Sequence, residues 1–100
     1  MTEYLIATSV LESIATGALV GDERLKLHSA LPLVRPHPAE VVVEEETCRV
    51  VVHVDARMGE SIPALAKEVR SKVARALGSM TGLTVTGVDV VFSGVFAAAD

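Results

Sequence analysis

Apolar residues recur at helical spacing in two stretches of this 100-residue chain and alternate with polar residues in others. In residues 3–19, Ile6, Val10, Leu11, Ile14, Ala15, Ala18 and Leu19 fall on one side of a helix. Thr2 can cap its start and Glu3 sits near the positive end of its dipole. Gly17 or Gly21 ends it, and Gly21 followed by Asp22 fits a left-handed cap better. In residues 62–80 a second stripe runs through Ile62, Leu65, Ala66, Val69, Val73, Ala76, Leu77 and Met80. Ser61 can cap this helix, Pro63 suits its first turn, and Gly82 suits a left-handed stop that lets Leu83 fold back on Leu77.

Between the helices the period changes to two. Val41 to Glu46 and Arg49 to Ala56 read as strands, with a turn near Glu45 to Cys48. Val50, Val52, Val54 and Ala56 make an apolar face, and Val51, His53, Asp55 and Arg57 a mostly polar one, so one side of the sheet is covered and the other partly wet. A third strand follows at 84–92, with Val88, Val90 and Phe92 inward and Asp89 outward. Residues 22–40 form a connection containing Pro32, Pro36 and Pro38, in which Leu25 and Leu27 alternate with polar residues as in a short strand or extended piece. The expected fold is α+β, a single two-layer domain over residues 1–100. Its order is helix-strand-strand-helix-strand, with the helices packed on a small mixed three-stranded sheet.

Composition narrows the class. Seventeen Val, thirteen Ala and ten Leu against three aromatics describe a core of small aliphatics. Half the residues are apolar and the net charge is only −4, which argues against disorder. One cysteine, Cys48, excludes an internal disulfide framework and a cysteine-based zinc site. No run approaches the length of a membrane span, and Met1-Thr2-Glu3-Tyr4 lacks the basic region of a signal peptide, so a cytoplasmic location is expected.

The charge is segregated: residues 1–56 sum to −5 and residues 57–77 to +3. Lys67, Arg70, Lys72 and Arg75 share the polar side of the second helix; they form either an ordinary solvated face or a surface for an acidic partner or a nucleic-acid backbone. Candidate chemistry is sparse. His28, His37 and His53 do not converge at ligand spacing; His53 and Asp55 share a strand face, but two ligands make no zinc site. Cys48 beside Arg49 has no arranged histidine partner, and no phosphate-cradling or nucleophile-elbow motif occurs. No enzyme activity, cofactor or metal is expected.

The string Gly59-Glu60-Ser61-Ile62-Pro63, then Val69 and Val73, then Ser79-Met80-Thr81-Gly82-Leu83, then Val85, Val88 and Val90, resembles the alkaline shock protein (Gls-type) envelope stress response family of bacteria. The resemblance covers roughly residues 50–92, with Met58 standing where the family usually carries an aromatic. It implies a non-enzymatic cytoplasmic protein of envelope stress that self-assembles or is held at the inner face of the membrane by a separate membrane protein. Gly59, Ile62, Pro63, Val69, Val73, Met80, Thr81, Gly82 and Leu83 are then fold determinants. The rival is a K-homology-like nucleic-acid module using the basic helix face, although the Gly-x-x-Gly loop of that class is missing. For the preferred reading the candidate interface is Val42, Val51, Val91, Val95 and Phe96, apolar positions left over from a one-sided core. The apolar stretch 93–100 either folds back on the domain through Phe96 or docks on a partner.

Overall fold

The computed structural model describes residues 8–27 and 38–97. Thr2, Glu3, His28, His37 and the prolines at 32 and 36 lie outside the described residues. The elements are α1 (Thr8–Gly17), β1 (Leu25–Leu27), β2 (Ala39–Glu44), β3 (Thr47–Arg57), α2 (Ile62–Thr81) and β4 (Thr84–Phe96).

The eleven-residue β3 is the centre of the sheet because its alternation is the most regular in the chain. Cys48, Val50, Val52, Val54 and Ala56 all point into the core and are buried. β4 pairs with it in parallel along its whole length, from Thr47 opposite Thr84 to Arg57 opposite Phe96. That occupies one edge of β3, so β1 and β2, both antiparallel to it, share the other edge end to end. The sheet is mixed, as expected, but holds four strands in three lanes, not three strands. The extra strand, β1, is the Leu25–Leu27 piece of the supposed connection 22–40, and β2 begins at Ala39 inside the same interval. Two backbone bonds extend these ladders: His53 N–H donates to the Pro38 carbonyl at 2.7 Å and Arg57 N–H to Arg24 at 2.8 Å.

β4 carries two bulges. The register passes from Cys48–Val85 to Arg49–Gly87 and from Val54–Phe92 to Asp55–Gly94, leaving Thr86 and Ser93 as the extra residues. The first bulge resolves a conflict of parity. Val85 and Val88, three apart, both face the helices only because Thr86 is skipped, and its hydroxyl donates to the Cys48 carbonyl at 3.1 Å. The strand thus runs four residues beyond the expected end at Phe92. Phe96 folds on its own domain, its carbonyl accepting the Met58 N–H at 2.7 Å and its ring lying 4.4 Å from Lys26 Nζ.

Both helices cover one face of the sheet, α1 over β2 and α2 over β4, and they lie against each other. Leu11, Ala15 and Leu19 meet Leu65, Val69, Val73 and Leu77 and the inward residues of the strands in one cluster. The inward row of α2 is therefore narrower than the sequence stripe. Ile62 and Met80, expected within it, are exposed, Ile62 because it opens the first turn and Met80 because it flanks the side facing α1. The first helix stops at Gly17; Gly21, the expected end, turns the chain afterwards at φ 93°. Ser61 has the extended backbone of a cap, yet its side chain makes no capping bond; its carbonyl accepts the Leu65 N–H.

The Met80-Thr81-Gly82-Leu83 motif works as a stop. Gly82 adopts φ 77° and donates its N–H to the Gly78 carbonyl at 2.9 Å. The Thr81 hydroxyl donates to the Leu77 carbonyl and accepts the Leu83 N–H, turning Leu83 onto the core. A Cβ on Gly82 would meet open space, so Gly82→Ala tests backbone conformation alone. It is expected to lower stability by about 1 kcal/mol in urea unfolding, and no loss would mean that the left-handed turn is unnecessary.

Candidate functional site

No described helix or strand covers the second face of the sheet. It is built from the outward residues of β3 (Arg49, Val51, His53, Asp55) and their cross-strand neighbours. Val42 lies opposite Arg49, Val51 lies between Glu40 and Asp89, and Val91 lies opposite His53. Val42, Val51 and Val91 therefore occupy diagonal positions across all three lanes, at the spacing where aliphatic side chains on one sheet face meet. Val42 is 63% exposed and Val91 40% exposed, with Val51 half-buried between them. Glycine on β4 makes room for the charged residues of this face. Arg49 lies over Gly87, and the Asp55 carboxylate would stand 3.1 Å from a Cβ at Gly94.

The five candidate interface residues are thus divided. Val42, Val51, Val91 and Phe96 share the helix-free face, whereas Val95, opposite Ala56, is on the helix side and projects past the helices into solvent. The bulge at Ser93 causes this split, because it reverses the parity of the last residues of β4.

The basic face of α2 is smaller than the sequence implies. Lys67, Arg70 and Arg75 are exposed, but Lys72 Nζ donates to Asp22 Oδ2 at 3.0 Å. Asp22 is the hub of a cluster that sequence reasoning missed. Arg24 donates to it through its backbone N–H (3.0 Å), Nε (2.9 Å) and Nη2 (2.8 Å), while Arg24 Nη1 reaches Glu68. The Asp22 side chain is only 7% exposed. The hydrogen-bonded Arg24 guanidinium, helped by Lys72 and opposed by burial, holds its carboxyl well below the usual carboxylate range. The only local signal was an acid two residues before a base; the contact to α2 spans half the chain.

A groove of about 560 Å³ runs between the helices, lined by Val10, Ile14, Ala18, Ala76 and Met80. Cys48 is buried, and burial pushes its thiol up, away from the reactive thiolate. Among the described residues no three His, Cys, Asp or Glu side chains gather as a metal site, and no helix is long and apolar enough to cross a membrane.

Of the motif residues, Val69 and Val73 are in the core, Gly59 turns the chain at φ 97°, and Pro63 stands in the first turn of α2. No curated protein and no solved structure matches the chain. Residues 37–97, which hold β2, β3, α2 and β4, match the model of the alkaline shock protein 23 family, described as having a cell envelope-related function, and the chain belongs to that family.

Proposed function

We propose that this chain serves the bacterial cell envelope as a non-enzymatic cytoplasmic protein of the stress response. It acts by self-assembly, by binding a membrane-associated partner, or by both. The family supplies the envelope connection. The observation that carries the mode of action is the diagonal of Val42, Val51 and Val91 on a sheet face that no described element covers. A line of exposed aliphatic side chains set among charges is a surface that another protein can bury. The free edge of β4 is interrupted by two bulges, a device that blunts strand-to-strand pairing along that edge.

The test combines mass with location. Light scattering is expected to give a mass above the 10.5 kDa of one chain, and a fluorescent fusion in the native bacterium a peripheral distribution. Val42→Lys together with Val91→Lys should return the mass to one chain or the fluorescence to the cell interior. A strict monomer at high concentration with diffuse fluorescence would refute the reading. The nucleic-acid alternative draws on exposed Lys67, Arg70 and Arg75. With Lys72 held by Asp22, it has three cations where the sequence offered four, and few aromatics for base stacking.

A further inference from the structure

We propose that the outer face of α2 is a docking surface for the acidic β2–β3 hairpin of a second copy of this chain. This rests on the reading that copies assemble, and adds which surfaces meet and by what chemistry. Lys67 and Arg75 lie on the side of α2 away from its buried row Leu65, Val69, Val73 and Leu77, and Arg70 is exposed on the flank of that row. The other two charges of that helix are already engaged, Lys72 with Asp22 and Glu68 with Arg24. What α2 presents to solvent is thus predominantly cationic, with Glu68, 51% exposed, as its one acid and already paired with Arg24.

The hairpin is the counterpart. Glu40, Glu44, Glu45 and Glu46 are all exposed, and none makes an ion pair within the described residues. Three consecutive carboxylates repel one another, and an opposing cationic surface relieves that repulsion. Exposed Val42, on the same face of β2 as Glu40 and Glu44, supplies apolar contact area. The two patches are held apart within one chain. The turn lies by the C-terminal end of α2, where Thr84 N–H donates to the Glu46 carbonyl at 2.9 Å. Lys67 and Arg70 sit in the N-terminal half of the helix, about 15–20 Å from that end at 1.5 Å per residue, whereas Arg75 is about 9 Å from it. Lys67 and Arg70 are therefore out of reach of their own hairpin and meet that of another copy. Because the two patches differ, the contact is head-to-tail and propagates into rings or open chains.

Sedimentation of the full chain tests this, with Arg70→Glu/Arg75→Glu and Glu44→Lys/Glu45→Lys as reversals at exposed positions whose folding is checked by circular dichroism. Association of the unaltered chain should weaken by about tenfold or more between about 50 and 500 mM NaCl, because rim charges are screened. Each reversal alone should be monomeric where the unaltered chain assembles. An equal mixture of the two should assemble again, since the reversed helix of one variant is complementary to the reversed hairpin of the other and the native patches still match. A mixture that stays monomeric, or a hairpin reversal that assembles normally while the helix reversal does not, overturns the pairing and points to another acidic occupant of α2. Assembly indifferent to both reversals removes this pairing and leaves self-assembly standing. A chain that is monomeric in every condition removes both.

Discussion

Leu77→Ala is expected to destabilise the protein by about 3 kcal/mol, whereas Met80→Ala, one turn further along the same helix, should change stability by less than about 0.5 kcal/mol. The two residues look alike in the sequence, since both continue the apolar stripe of α2. Leu77 is fully buried, and its loss leaves a cavity among residues that are themselves fixed between helix and sheet. Met80 is 69% exposed on the flank of the groove toward α1. For a domain of this length, the first substitution corresponds to a drop in melting temperature of about 15 °C. Thermal unfolding followed by circular dichroism reads both. Equal losses at the two positions would mean that α2 is rotated from the orientation described.

Asp22→Ala is expected to cost about 2 kcal/mol at neutral pH, because it removes the carboxylate shared by Arg24 and Lys72 and leaves the Arg24–Glu68 pair to tie the segment before β1 to α2. The figure is below that of a fully buried pair because both cations remain partly in water. The pH dependence has a definite sign. The folded-state carboxyl titrates below its unfolded value, so its contribution is complete above the ordinary carboxylate range near pH 4 and is lost as pH falls below it. The stability difference between the native chain and Asp22→Ala should accordingly be constant from about pH 5 to 8 and shrink in acid. Urea midpoints measured across that range check it; a gap that persists undiminished well below pH 4 would assign the effect to packing, not charge.

What was legible in the sequence follows the physics of each element. β3 and α2 were readable because each buries one face with a simple period, two for Val50, Val52 and Val54 and near four for Leu65, Val69, Val73 and Leu77. The exposed Met80 was not, because hydrophobicity marks candidates for burial without saying which neighbour arrives to bury them. β4 hid its length for another reason. Bulges at Thr86 and Ser93 break the alternation that identifies a strand, so its last four residues looked like a tail. β1 was short and embedded in a proline-containing interval, and its strand character comes from the partner Val54–Ala56, not from its own three residues. The candidate surface was partly visible in the surplus of apolar residues, but their division between two sheet faces depends on the second bulge. The Asp22 cluster joins residues that no local pattern connects.

The arrangement of β3 between two dissimilar edges has a consequence for how the chain reaches this state. Its pairing with β2 closes across a turn of two residues and forms on the microsecond scale. Its pairing with β4 has to wait for the whole of α2 to cross over, a closure with a far larger entropic barrier. During that interval the valine-rich flank of β3 has nothing alongside it. In a nascent chain, or one recovering from heat or acid, the order of these closures leaves the central strand open to a neighbour for longest on the β4 side, and crowding by other copies is then a hazard.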